Sequence, residues 1–472
     1  MVDIPALPRE AAKRPYRPPA PIPHTKRMSR LQFILSLRRN PVETWGVWHF
    51  EKPVVSGVTV MGHVTVVSAP EAIKHIMVDN VGNYVKDRLQ LKVLKPGLGE
   101  GLLTAEGENW KVARRTLAPL FSPRAVEGFT QAMQNQSAAM VTRLQKLENG
   151  TRVNVSAEMA RITFEILADT LFSNAITTDQ QKFAKAFTSY FENQGRISPL
   201  DIFNAPAWIP RPSKIMAQPA IQFLEGEMRQ IIARRRAQIA RGETVSRDIL
   251  TLLLEANDPE TGQGLSETEV GANIVTFIGA GHETTANALS WTLFLLAKHP
   301  QILAEVEAEA DRAGELPVAD WLENLPMTRA AFEEAMRLYP PAPTLSRTAI
   351  AADEVMGITI PAKSLVVISP YIVHRHKLLW DEPNYFRPER FLPGAREKID
   401  RFAYIPFGAG PRVCIGQRFA QHEAVIILAS LLRQVRFSMA KGEGVVPLQR
   451  ITLRPSPKLE MLITQRHPLR AG

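Results

Sequence analysis

Apolar positions along the chain fall mostly at helical spacing, with a few short β-branched runs between them. Residues 29–39 read as a short amphipathic helix closed by Pro41. Residues 58–60 and 64–67, around Gly62, read as a β-hairpin, and Ser68-Ala69-Pro70-Glu71 opens a helix with proline in its first turn. Residues 86–108 carry several glycines and no sustained period, which predicts a long loop. From Asn109 to about Leu254 the pattern is helical, broken at Ser122-Pro123, at Glu148-Asn149-Gly150 and over 197–212. That last break holds Leu200, Ile202, Phe203, Trp208 and Ile209, so it is either packed down or a lid over an apolar channel, and the lid is the favoured reading.

Ser266-Glu267-Thr268-Glu269 fits a capping box, and no proline follows until Pro300. The helix so predicted is ~50 Å long at 1.5 Å per residue, enough to cross a whole domain. Its flanks (Ile274, Val275, Phe277, Ile278; Leu289, Trp291, Leu293) are apolar nearly all round, as in a buried helix. Its middle, Ala280-Gly281-His282-Glu283-Thr284-Thr285, is not. Further helices are predicted over 302–312 and 327–339, the second stopped by Pro340-Pro341. Strands follow at 358–360 and 365–368, then a helical turn at 371–376 and a proline-punctuated coil over 381–393. The pattern predicts a mainly α chain with minor β, a Pro-rich N-terminal tail over 1–25, and one domain over 26–472.

Composition narrows this picture. Apolar residues make up 45% and charged residues 22%, an ordinary globular balance. Fifty-seven basic against 47 acidic side chains give +10, which permits an anionic partner or surface and selects none; no nucleic-acid partner is expected. One cysteine excludes an intrachain disulfide and fits a reducing cytoplasm. The first 25 residues lack an apolar signal core, and the run 31–37 is too short for a bilayer, which needs about 20 residues, so no transmembrane anchor is expected.

That cysteine lies in Phe407-Gly408-Ala409-Gly410-Pro411-Arg412-Val413-Cys414-Ile415-Gly416, just ahead of a predicted helix. A thiol there meets unpaired N–H groups and a positive dipole end, which lower its pKa. Such a thiolate suits a soft metal or nucleophilic attack. The glycines let the backbone pass close to something bulky or take positive φ. Nucleophilic catalysis would also need a histidine base, and no protease-type signature surrounds Cys414.

The spacing Phe407-x-x-Gly410-x-Arg412-x-Cys414-x-Gly416 resembles the haem-ligand loop of the cytochromes P-450, the haem-thiolate monooxygenases. Other motifs of that family follow in its order from about Met28 to Arg466. The resemblance implies the P-450 fold, with a long central helix over haem b, and Cys414 as the axial iron ligand, its thiolate favouring O–O cleavage. Phe407, Gly410 and Gly416 would shape the ligand loop. Trp110 and Arg114 match W-x-x-x-R and, with Arg412 and by position Arg347, would hold the haem propionates. Ala280, Gly281, Glu283 and Thr284 match the motif over the distal face. Gly281 would give the helix room beside the ring, while Thr284 and Glu283 would serve oxygen activation and proton relay; His282 takes the family's variable position and no role. A zinc site of His-Glu-x-x-His type fails here, since position 286 is Ala286. Glu334 and Arg337 match E-x-x-R and would pair with Arg390 as a structural ion network behind the loop.

Family position also offers Leu94, Leu98, Ile274, Phe277, Ala342, Thr344 and Ile451 as lining for an apolar substrate. No reductase is expected in the chain, so electrons would come from a ferredoxin or flavodoxin docking on Lys111, Arg115, Arg124, Arg401 and Arg418. The implied reaction inserts one oxygen atom of O2 into the substrate. Its rivals are a peroxide-using or isomerising haem-thiolate enzyme and a haem-thiolate sensor, neither of which needs a proton relay to O2.

Overall fold

The computed structural model describes residues 16–173, 186, 212–440 and 442–466. The lid expected over 197–212 lies almost wholly outside them. Seven helices matter most here: α1 (Arg30–Arg39), α2 (Arg88–Leu98), α3 (Gly107–Leu117), α4 (Val155–Phe172), α5 (Glu267–Lys298), α6 (Pro326–Leu338) and α7 (Gln417–Leu432). Helix α5 is the axis of the molecule. Its start is fixed as predicted: Ser266 accepts from the Glu269 N–H while the Glu269 carboxylate reaches back to the Ser266 N–H. Helices α4, α6 and α7 all pack on it, burying Trp291, Phe294 and Leu289 in the main core. Among the described residues no helix is long and apolar enough to cross a membrane.

A five-stranded sheet stands beside this helical body. Its strands are β1 (Val54–Thr59), β2 (Gly62–Val67), β3 (Tyr84–Lys86), β4 (Leu345–Ala349) and β5 (Leu365–Ile368), in the order β1-β2-β5-β4-β3. The β1/β2 hairpin is the predicted one, and β2 then pairs in parallel with β5, Val64 opposite Leu365 and Val67 opposite Ile368. Antiparallel pairing of β3 with β4 sets Lys86 directly opposite Arg347. A smaller hairpin, β6 (Val446–Gln449) with β7 (Leu453–Ser456), places its turn against α5.

One expectation changes. Residues 86–108 are not one long loop: α2 forms within them, because the Asp87 carboxylate caps the N–H groups of Leu89 and Gln90. Pro96 and Gly97 fall in its last turn, where they masked the period. The described part of the N-terminal tail, from Tyr16, lies on the body: Tyr339 Oη donates to the Pro19 carbonyl at 2.8 Å, and His24 bridges to Gly46.

Candidate active site

The ligand loop is built by two left-handed glycines. Gly408 and Gly410 have φ of 77° and 69°. At Gly410 a Cβ would stand 1.9 Å from the Met77 carbonyl oxygen, so no other residue fits. The Cys414 N–H closes the loop on the Phe407 carbonyl at 2.9 Å, and Gly416 caps α7. Gly416 takes an ordinary negative φ, and a Cβ there would meet no protein atom within 4 Å. The cysteine thiol is open to a cavity of about 380 Å3. Burial raises its pKa, outweighing the Gly416 N–H and the Arg114 charge, which pull it down. The expected lowering is therefore reversed, and a coordinated metal is what would deprotonate this sulfur.

Helix α5 forms the facing wall. Phe277, Ala280, Gly281 and Thr284 all line the cavity, at helical spacing. Thr284 Oγ1 donates back to the Ala280 carbonyl at 2.6 Å. At Gly281 a Cβ would lie 2.9 Å from Leu167 Cδ1, so glycine lets α4 pack close without displacing the end of that side chain. The Glu283 side chain turns to the β6/β7 hairpin, where Oε1 accepts from Thr452 Oγ1 at 2.7 Å. His282 bonds to the Ile278 carbonyl and faces Phe164 on α4.

Cations gather along one side of the cavity. Trp110 and Arg114, one turn apart on α3, both line it, as do Arg347 and Arg412. The Arg412 guanidinium stacks 4.2 Å over the Trp110 ring and lies 3.2 Å from Glu106. A fourth cation, Lys86, was missed in the sequence because a lysine at a strand end looks like any solvated one. It is buried, with Nζ donating to the Leu103 carbonyl. Burial, then Arg412 and Arg347, hold its pKa down to about 7. Burial and Arg412 likewise bring Arg347 to about 10. Like charges opposite one another in a sheet are destabilising unless an anion joins them.

Behind the loop, Glu334 and Arg337 form a fully buried fork, with bonds of 2.6 and 2.7 Å. The Arg337 guanidinium also donates to the carbonyls of His374, Pro383 and Tyr385 at 2.7, 2.8 and 3.0 Å. His374 Nε2 accepts from the Ile405 N–H, whose carbonyl receives the Gly408 N–H, so the network reaches the ligand loop. Arg390 is a weaker member than expected. It stands 3.7 Å from Glu334 and donates mainly to the Asp381 carbonyl, while the second short donor to Glu334 is the Arg387 N–H at 2.8 Å.

Leu94, Leu98, Phe277, Ala342, Thr344 and Ile451 line the cavity. Ile274 does not: one turn nearer the start of α5, it is fully enclosed in the main core. Sequence reasoning also missed Leu102, Phe121, Leu167, Thr452 and Glu423 as lining. The Glu423 carboxyl, on α7, is bonded to Thr285 and has one oxygen without a partner; burial raises its pKa well above the usual range. The basic face expected to dock a partner is partly neutralised. Arg115 is forked to Asp258, Lys111 pairs with Glu108, and Arg418 lies 3.7 Å from Glu323. Arg124 and Arg401 carry no ion pair among the described residues.

These residues fit a haem. A thiol faces the cavity, open space lies over Gly416, and four cations on one side match two carboxylates. The family model for Cytochrome P450 matches residues 18–463. Pentalenene oxygenase of Streptomyces avermitilis is 30% identical over 373 residues, covering 78% of this chain and 81% of the relative. Cyclooctat-9-en-7-ol 5-monooxygenase of Streptomyces melanosporofaciens is 31% identical over 350 residues, covering 73% and 74%. The crystal structure of the cytochrome P450DA heme domain superposes with a TM-score of 0.82 at 25% identity, covering 96% of this chain and 99% of that one. A cysteine loop facing a long helix, a cation-flanked cavity and these likenesses converge: the chain belongs to the cytochrome P450 family, as a monooxygenase.

Proposed function

We propose that the chain is a haem b hydroxylase of apolar, hydrocarbon-like substrates, working in the cytoplasm with electrons from a separate ferredoxin or flavodoxin. One observation carries this reading: the Cys414 thiol and the Thr284 hydroxyl line one largely apolar cavity. When bound, the haem supplies O2 binding and, with two electrons and two protons, transfer of one oxygen atom to substrate and reduction of the other to water. Cys414 would hold the iron, and Arg114, Arg347, Arg412, Trp110 and Lys86 the propionates. Leu94, Leu98, Phe277 and Ile451 exclude water and orient the substrate. Thr284 offers a hydroxyl whose hydrogen comes free for the cavity once it leaves the Ala280 carbonyl. Glu283 is the acid beside it that passes protons inward from solvent.

The substrate class draws on the apolar lining and on relatives named for an alkene and an alkenol. Partner docking draws on Arg124 and Arg401, which leave positive charge on the face expected to meet an acidic protein. The test begins with the reduced, CO-bound spectrum. Wild type should show the thiolate-type band and Cys414→Ala should lose it; a wild type without that band would overturn the reading. Pentalenene, limonene and a fatty acid are then compared for Soret shift and for incorporation of labelled O2.

A further inference from the structure

The relay acid and the relay hydroxyl do not face the same way. Thr284 lines the cavity, whereas the Glu283 carboxylate is bonded to Thr452, in the turn between β6 and β7. Asn287 Nδ2, one turn further along α5, donates to the same Thr452 oxygen at 3.1 Å. The other carboxylate oxygen, Glu283 Oε2, is buried without a hydrogen-bond partner. Thr452 is itself 5% exposed, and it lines the cavity together with its neighbour Ile451. The turn is closed by the Arg450 N–H on the Thr452 carbonyl and anchored by the Leu453 N–H on the Pro341 carbonyl. A substrate pressed on Ile451 therefore bears on the group that holds the acid.

We propose that Thr452 is a positioning residue for the proton relay: its hydroxyl restrains the Glu283 carboxylate away from Thr284, and contact of substrate with the 451–452 turn releases it. This rests on the roles given above to Glu283 and Thr284. A charge-assisted hydrogen bond biases a two-state side chain by about tenfold or more. The orphan Oε2 is the atom that gains a partner when the carboxylate swings. Restraint in the absence of substrate limits proton delivery to reduced oxygen, so fewer electrons are lost as hydrogen peroxide.

The test uses the holoprotein without substrate. Thr452→Val removes the hydroxyl and keeps the shape, and Thr452→Ser restores it. Infrared difference spectra, each protein minus its Glu283→Gln counterpart, isolate the Glu283 carboxylate bands. We expect these bands to shift in Thr452→Val and to return in Thr452→Ser. Electron consumption and hydrogen peroxide release should rise about tenfold in Thr452→Val and fall back when Glu283→Gln is added. Unshifted bands in Thr452→Val, or a fall in consumption without substrate, would overturn the proposal. Should Thr452→Val fail to take up haem, Asn287→Ala weakens the same hold and must shift the bands in the same direction. Full coupled turnover by Glu283→Gln would sink the relay reading instead, whatever Thr452 does to the bands.

Discussion

Replacing Arg337 by methionine removes the most heavily bonded side chain of the buried network. Arg337 serves five acceptor atoms, the two Glu334 oxygens and the carbonyls of His374, Pro383 and Tyr385, all within 3.0 Å. Breaking a buried ion pair from one side costs ~3–5 kcal/mol. Each carbonyl left without a donor adds up to ~1–3 kcal/mol, less whatever relaxation recovers. A loss of about 5 kcal/mol would consume a third or more of the ~5–15 kcal/mol that holds a typical domain. Lysine in its place keeps the charge but has three donors for five acceptors, so Arg337→Lys should fall between methionine and wild type. Because His374 passes the network to Ile405 and the ligand loop, haem retention should decline along with stability. Urea unfolding followed by circular dichroism, with haem content measured in parallel, reads both. A methionine variant within about 1 kcal/mol of wild type would refute the reasoning, since the fork would then be idle. Adding Glu334→Leu to Arg337→Met should recover part of the loss, because the double variant no longer buries an unpaired charge.

Glu423→Gln tests the buried carboxyl. Its folded pKa lies above the ordinary 4.5, so above that pH the folded protein must keep a proton that the unfolded chain releases. Wild-type stability then falls by about 1.4 kcal/mol per pH unit until the folded carboxyl ionises, a slope the glutamine variant lacks. The stability gap should be flat below pH 4.5 and widen above it; a gap independent of pH would remove the raised pKa. Gly410→Ala should abolish haem incorporation while leaving most far-UV helicity, because its Cβ collides with the Met77 carbonyl rather than with a movable side chain. Thr284→Ala should keep haem and substrate binding but divert electrons to hydrogen peroxide; unchanged coupling of electrons to product would count against the role given to Thr284.

The ligand loop, the long helix and its cap could be read from the chain because each depends on residues close in sequence. Ser266 and Glu269 are three apart, and the residues from Phe407 to Gly416 act through one loop. What the chain did not disclose depends on distant partners or on burial. Lys86 looks ordinary until pairing sets it, buried, opposite a buried Arg347. Glu283 finds Thr452 across 169 positions, a contact no local pattern signals. The direction of the Cys414 pKa came out opposite to expectation because the helix start is local while desolvation belongs to the whole fold. Helix α2 was hidden by Pro96, harmful in mid-helix but tolerated in a last turn, while Asp87 gave a start signal that went unused.

The parallel pairing of β2 with β5 bears on how the chain is made. Strand β2 ends at Val67 and its partner begins at Leu365, roughly three hundred residues later. At about 5–20 residues per second, a ribosome leaves the valine-rich edge of β2 waiting roughly 15–60 s for its neighbour. The hairpin that carries this edge would be only marginally stable alone in water. Newborn chains therefore pass through a long interval in which Val64, Val66 and Val67 are open to the wrong strand, including that of another nascent copy. Yield in a host cell should then depend on chaperone supply and synthesis rate as much as on the stability of the finished enzyme.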